Sequence, residues 1–291
     1  MKALNIIYFK FYILFLPLLF LSFNSIELMH SPLQQQSMYL KSQIKKQFFY
    51  LEVFGKGSDV EIRLNDIPVC KLKTDSTPTG YGNSSSNVQY YIIPGINTLS
   101  IFPLTKKGET TIRLVQFSKG DDTNNESNEE TLVEIEIEND DTPIHKKVEF
   151  SSNIKRWSWM DTDSITDKKS KEEAITFSKS FYKIMEQNNI SEMIAAADPI
   201  LSNELISKPD LKKEKLVKEW TKGLKMAFTD QDVYDDIDSI SIKLIPIANG
   251  KLFEVKREDG SFLFRTSDKN EFPVGFKSII GRKNGVWQFY N

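Results

Sequence analysis

Residue types that commonly carry catalysis or bind metals are rare in this sequence. Cys70 is the only cysteine, and His30 and His145 are the only histidines. A single cysteine excludes an intrachain disulfide and a cysteine-based zinc site. Neither histidine lies in a nucleophile motif, and the sequence has no glycine-rich phosphate loop, Gly-x-Ser-x-Gly motif or His-Glu-x-x-His motif. The sequence therefore predicts no catalytic residue and no cofactor, and it favours a protein that is not an enzyme.

Two groups of carboxylates have part of the spacing of a metal site. Between Asp161 and Glu172, acidic residues fall at the first, third, seventh and twelfth positions of a calcium-loop template. However, Ile165 occupies the fifth position, and Thr166 replaces the required glycine at the sixth. The acidic run at residues 230–238 contains no glycine. We therefore predict a capped linker and a solvated turn, and no metal site.

Three aromatic residues are candidates for binding. Trp157 and Trp159 alternate within residues 154–159, which we expect to form a strand, so they would share one face. Such a pair can stack on a sugar or anchor a protein interface, and it can equally pack the junction between two domains. Tyr81 lies in residues 73–87, a polar stretch that we expect to be a loop, and is the third candidate.

Two segments carry a strong local charge. Residues 212–225 contain six lysines and only two glutamates, so a helix there has one basic face. That face could meet an acidic protein or an anionic surface, or it could simply be solvated. Residues 118–130 form an acidic stretch without apolar side chains, which reads as a partner-facing loop or a solvated hairpin loop.

The composition is that of a globular protein. The chain has 291 residues, of which 40% are hydrophobic and 27% charged, and its formal net charge is −2. This excludes collagen-like and wholly disordered chains. A charge near zero also argues against nucleic acid as a partner.

The N-terminal 26 residues are typical of a signal peptide or membrane anchor. Lys2 and Lys10 precede an uncharged apolar run at residues 11–23. Residues 6–26 are long enough to cross a membrane if Lys10 snorkels, which would give membrane contact if the segment stays uncleaved. Residues 27–46 then form a polar tether. We expect a periplasmic or secreted protein, or one anchored in the inner membrane, and the single cysteine suits a bacterial periplasm.

Residues 47–160 are predicted to form an all-β sandwich domain. Apolar residues alternate with polar ones in short segments that turn residues separate, and no helical period persists. The expected strands span residues 48–54, 60–64, 67–69, 88–93, 96–102, 110–117, 131–138, 144–150 and 154–159. Pro68 confines its strand to a sheet edge.

Two short motifs in this domain resemble a known family. Residues 63–69 read Arg-Leu-Asn-Asp-Ile-Pro-Val, and residues 93–101 begin Ile-Pro-Gly-Ile-Asn. They are similar to the turns of jelly-roll, sugar-binding-like sandwich domains, which accompany many glycosidases and are often non-catalytic. Asp66 stands where that family usually has glycine. The resemblance implies a sandwich fold and transfers no ligand-binding residue.

After a linker at residues 161–170, residues 171–291 are predicted to form an α+β domain. Apolar residues recur with a helical period near residues 174–185, 191–197, 200–207 and 211–228. Alternation then returns from residue 237, with hairpin signals at Asn249-Gly250, Asp259-Gly260 and Asn284-Gly285. We expect helices packed on a bent, cone-like antiparallel sheet.

The second domain also resembles a family. Residues 181–190 and the closing segment Arg-Lys-Asn-Gly-Val-Trp-Gln-Phe at residues 282–289 are similar to the first helix and last hairpin of nuclear-transport-factor-two-like folds. Some members of that family use an Asp/His pair in the cone pocket. No histidine follows His145, so the resemblance implies a binding or structural role here.

Together these features predict an exported, non-catalytic binding protein of the bacterial envelope. Its partner would be a protein, as for an inhibitor or immunity-type protein, or a small ligand. The alternatives are a glycan-active enzyme or glycan-binding accessory, which would need paired carboxylates in a cleft, and a carrier that uses the cone pocket.

Overall fold

A computed structural model describes residues 47–74, 77, 79–118, 130–138, 142–150 and 154–290. The described residues belong to one compact unit. The expected signal or anchor, the tether and most of the acidic stretch at 118–130 lie outside the described residues, so those predictions stay predictions.

The first half of this unit is a β-sandwich of two four-stranded antiparallel sheets. In sheet A the order is β4-β1-β6-β7, and in sheet B it is β3-β2-β5-β8. The strands are β1 (Gln47–Lys56), β2 (Asp59–Leu64), β3 (Ile67–Lys73), β4 (Tyr81–Asn87), β5 (Gly95–Pro103), β6 (Glu109–Ser118), β7 (Glu130–Glu138) and β8 (Ile144–Phe150). The prediction of an all-β first region is confirmed, and Pro68 does lie on an edge strand.

The sandwich core lies between the two sheets and is built by alternation. Val60, Ile62 and Leu64 of β2 are at most 1% exposed, and the residues between them face outward. The inward residues of β1, β5 and β6 complete this layer, because each strand points every second side chain to the same side.

Two of the predicted strands are wrong, and one strand was missed. Residues 88–93 contain only a 3₁₀ turn at Gln89–Tyr91, and residues 154–159 lead into another at Ser158–Asp161. In contrast, Tyr81–Asn87, expected as a loop, pairs along its whole length with β1 as β4. Its glycine, serine and asparagine residues have low strand propensity, so pairing with β1 overrides the local preference.

Side chains satisfy the main chain of residues 90–93, which explains why this segment is not a strand. The carbonyls of Tyr90, Tyr91, Ile92 and Ile93 accept hydrogen bonds in turn from Trp159 Nε1, Asn65 Nδ2, Trp157 Nε1 and Asn97 Nδ2. Four consecutive acceptors therefore find partners outside any sheet, as burial requires. Asn65 and Asn97 are the motif residues of the two turns, and the Asn65 amide also donates to Asn97 Oδ1 at 2.7 Å.

The second half is α+β, as predicted. Its helices are α1 (Lys168–Glu186), α2 (Ile190–Ala196), α3 (Asp198–Ser207) and α4 (Lys213–Ala227). Asn189 caps α2 by accepting from the Glu192 amide, whereas α4 begins after Lys212 without a side-chain cap. None of the described helices is long and apolar enough to span a membrane.

Sheet C is a four-stranded antiparallel sheet in the order β12-β11-β10-β9. Its strands are β9 (Ile242–Ile247), β10 (Leu252–Arg257), β11 (Ser278–Lys283) and β12 (Val286–Tyr290). The hairpins at Asn249-Gly250 and Asn284-Gly285 form as expected, with positive φ at all four residues. Residues 272–277 make only an isolated bridge at Gly275, because Pro273 and Gly275 weaken continuous pairing.

The segment at residues 161–170, expected as a linker, packs against sheet C. The Asp163 and Ile165 amides donate to the carbonyls of Arg282 and Gly250, and Ile165 is fully buried. Asp167 caps α1 by accepting from the Ser170 amide at 2.8 Å. The carboxylates of the calcium-loop template are thus engaged in capping and ion pairing.

Aromatic side chains fill the space between the helices and sheet C. Phe181 lies 4.4 Å from Phe289 and 5.1 Å from Phe264 between ring centroids. Phe177 and Phe276 extend the same cluster. These rings form part of the packed core between the helices and sheet C.

Candidate functional site

The two tryptophans predicted as a binding platform lie inside the junction between the sandwich and the α+β region. Trp157 is 2% exposed and Trp159 is 5% exposed. Their indole N–H groups donate to Ile92 at 2.9 Å and to Tyr90 at 2.8 Å. Both rings are therefore covered and hydrogen-bonded, and neither offers a face to a ligand.

The junction has a hydrophobic core of its own. Residues from β3, β9, β10, β11 and β12 surround the two indoles. Its buried members are Ile67, Trp157, Trp159, Ile247, Ala248, Leu252, Ile279 and Tyr290. The indoles donate hydrogen bonds to the sandwich region and pack against residues of sheet C, so they join the two regions.

A buried carboxylate reinforces this junction. Glu204 of α3 is 6% exposed and accepts from the Tyr90 hydroxyl at 2.8 Å. Its second oxygen accepts from the Lys208 ammonium at 2.7 Å. Burial and the adjacent Glu204 charge raise the pKa of Tyr90 far above its ordinary value, so the phenol stays a donor. This hydrogen bond, which we call the Tyr90–Glu204 latch, connects the sandwich region to α3.

Polar contacts connect the outer parts of the two regions. The Asn249 amide donates to Asp66 Oδ2 at 3.2 Å, across 183 positions of sequence. The Lys277 ammonium donates to the Pro68 carbonyl. Asp66 lies in the β2–β3 turn and Pro68 at the start of β3, so this end of the β2–β3 hairpin meets the second region.

A serine–histidine pair lies on sheet B and was not anticipated from the sequence. Ser100 of β5 is paired in register with His145 of β8, and Ser100 Oγ is 2.8 Å from His145 Nδ1. Strand amides bond within the sheet plane, so they do not converge on Ser100 Oγ to form an oxyanion hole. We therefore interpret the pair as a cross-strand hydrogen bond.

Tyr81, the third predicted binding residue, lies on the outward face of sheet A. It is 59% exposed and begins β4 directly opposite Lys56 of β1. The Lys56 ammonium is 5.9 Å from the centroid of the Tyr81 ring. Phe54, two residues from Lys56, is 43% exposed on the same face. The two rings are diagonal neighbours, within reach of one ligand.

The rest of this face is acidic. The cross-strand register aligns the outward residues in three rows. One row contains Glu52, Arg113 and Glu134, and another contains Lys56, Glu109 and Glu138. The row between them contains Phe54 and Glu136. Five glutamates thus share the face with two cations. Arg113 lies 3.4 Å from Glu52 and 3.5 Å from Glu134, and Lys56 lies 3.9 Å from Glu109. We call these residues, with Phe54 and Tyr81, the sheet A face.

Part of the sheet A face could be predicted from sequence. The alternation of residues 131–138 indicates that Glu134, Glu136 and Glu138 point outward together. Phe54 carries no such signal, because residues 48–51 and 53–54 are all apolar and periodicity cannot tell which of them face solvent. Tyr81 could be placed on this face only once β4 was known to be a strand.

No group of three or more histidine, cysteine or carboxylate side chains within the described ranges is arranged to hold a metal ion. Comparison with protein-family models, with curated proteins and with solved structures finds no match to this chain. Function must therefore be inferred from the geometry of the chain itself.

Proposed function

We propose that this chain is an exported, non-catalytic binding protein of the bacterial envelope whose sheet A face recognises a protein with a basic surface. One observation carries the proposal: two exposed aromatic rings lie side by side at the β4–β1 edge of a face that also bears five glutamates. Aromatic residues supply most of the energy at protein interfaces, and surrounding charges select the partner and speed association.

The acidic character of the face indicates the kind of partner. Glu109 and Glu138 lie directly opposite each other on β6 and β7, and like charges in this arrangement lower the stability of the free protein. The cations of a basic partner would attract these glutamates and offset their mutual repulsion. A basic enzyme held inactive by its inhibitor fits this description, and the absence of a recognisable catalytic set in the sequence agrees with an inhibitor or immunity-type role.

Export rests on the sequence of residues 1–26, with its lysines followed by an uncharged apolar run. Cell fractionation tests it directly. Recovery in the periplasm, the medium or the inner membrane supports the proposal, whereas full-length chain in the cytosol contradicts it.

Affinity capture with matched variants tests the recognition surface. We expect the tagged full chain to capture a basic protein from its own cells, and Phe54→Ala with Tyr81→Ala to weaken that binding by roughly 1,000-fold, since each anchor contributes about 2 kcal/mol. Ile96→Ala, which removes an equally exposed apolar residue from sheet B, should bind normally.

A charge reversal provides the second arm of this test. Glu136→Lys should slow association, and the effect should diminish at high salt. Glu149→Lys, on β8 of sheet B, makes the same charge change away from the face and should have little effect. Equal capture by every variant would mean that the partner binds elsewhere.

Glycan binding is the second candidate, because Phe54 and Tyr81 could stack on a sugar and the sandwich resembles sugar-binding-like accessory domains. Retention on a glycan array that is lost in the Phe54/Tyr81 double variant, with no captured protein, would favour this function over the first. A carrier role receives no support, since aromatic rings fill the interior under the helices.

A further inference from the structure

Helix α4 presents a stripe of four lysines to solvent. Lys215, Lys218, Lys222 and Lys225 follow one another at spacings of three and four residues. This spacing places them on one helix face, along about 15 Å of its length. All four are exposed.

The opposite face of α4 holds the helix to the protein, which fixes the direction of the stripe. Leu216 is 4% exposed, and Leu224 and Ala227 pack against the core of the α+β region. The lysines, on the other side of the helix, therefore point away from the protein. Met226 lies beside the stripe and is 66% exposed.

The stripe is poorly neutralised by the chain itself. Among the described residues, no carboxylate lies within ion-pair distance of Lys218, Lys222 or Lys225. Lys215 reaches Glu219 only at 4.0 Å. In contrast, Lys213, off the stripe, makes a 2.7 Å ion pair with Asp198. Three adjacent cations thus remain available to an external anion.

We infer that this stripe docks α4 on an anionic phospholipid surface. The face carries lysines on flexible stems and one exposed methionine, with neither the arginine nor the aromatic anchors that dominate protein interfaces. Evenly spaced lysines suit a fluid layer of phosphate headgroups, and a neighbouring apolar side chain can enter the headgroup boundary. The inference is independent of the sheet A face. It agrees with an apolar segment at residues 6–26 that would keep the protein near a membrane.

A fluorophore at position 226 tests the docking of α4 itself. The full chain carries Met226→Cys, and the native Cys70 is buried, so labelling is directed to the new site. The protein is reconstituted with vesicles of phosphatidylcholine alone or mixed equally with phosphatidylglycerol, each containing a lipid-borne quencher. We expect quenching with the anionic vesicles only, and its loss at high salt. Binding through residues 6–26 does not depend on lipid charge in this way.

Variants with matched charge changes separate the stripe from net charge. At about 1 kcal/mol per lysine near an anionic surface, Lys218→Gln, Lys222→Gln and Lys225→Gln together should weaken docking about 100-fold, and reversal to glutamate should abolish quenching. Lys146→Glu, Lys147→Glu and Lys155→Glu make the same reversal at exposed positions of the sandwich and junction, and should leave quenching unchanged. Quenching that persists in the stripe variants, or that is equal in neutral vesicles, would overturn the inference.

Discussion

At the scale of single residues, buried main-chain carbonyls determine what the tryptophans do. Trp157 and Trp159 donate to carbonyls two residues apart, and Asn65 bonds to the carbonyl between them. An indole offers one donor, which must find an acceptor when the ring is buried. The same property that makes tryptophan a good ligand-binding residue here serves to join two regions of one chain.

We predict that Trp157→Phe destabilises the protein by about 2–4 kcal/mol. The change removes ring volume and leaves the fully buried Ile92 carbonyl without its donor. Urea denaturation followed by circular dichroism measures the loss. Trp220→Phe, on a half-buried position of α4, is the control and should cost about 1 kcal/mol or less. Equal losses in the two variants would show that the hydrogen bond contributes little.

At the scale of elements, local pattern predicted the strands whose two faces differ. Strands β2 and β7 alternate because one side meets the core and the other water, so their sequences reveal them. Strand β4 is an edge strand of small polar residues, and only its pairing with β1 makes it a strand. Residues 88–93 show the opposite error. Their apolar sequence predicts a strand, but their carbonyls bond to side chains distant in sequence, those of Asn65, Trp157 and Trp159, and not to a neighbouring strand.

The β2–β3 turn shows what an aspartate adds at a position whose backbone conformation favours glycine. Asn65 and Asp66 both have positive φ, where glycine is favoured and asparagine and aspartate are tolerated. Asp66 instead provides a carboxylate that lies 3.2 Å from Arg63 Nη1 and accepts from the Asn249 amide. The aspartate therefore connects this turn to the α+β region, which glycine could not do.

We predict that Asp66→Ala is less stable than Asp66→Gly by about 1 kcal/mol, because both lose the two contacts but only alanine is strained at positive φ. Both variants should be compared by thermal and urea unfolding under the same conditions. Equal stability of the alanine and glycine variants would mean that the turn has relaxed away from its left-handed conformation.

At the scale of the whole molecule, the junction makes the two regions depend on each other. It combines a hydrophobic core, two indole hydrogen bonds and the Tyr90–Glu204 latch. Removing either region would expose the indoles and abolish the hydrogen bond between the Tyr90 phenol and Glu204. Interfaces of this kind transmit unfolding from one region to the other.

We therefore expect one cooperative unfolding transition, with far-ultraviolet circular dichroism and tryptophan fluorescence giving the same midpoint. Trp157→Ala removes one of the two largest side chains of the junction and should separate the two signals into distinct transitions. A wild-type protein that already unfolds in two steps would show that the junction does not couple the regions.

The junction contacts also span long stretches of chain. Trp157 and Ile92 are 65 positions apart, Tyr90 and Glu204 are 114 apart, and Asp66 and Asn249 are 183 apart. Contacts so distant in sequence require large loops to close, and they form after the local hairpins of each sheet. The indoles can be buried only when the two halves meet, so we expect the fluorescence change of Trp157 and Trp159 to follow the docking of the halves during folding.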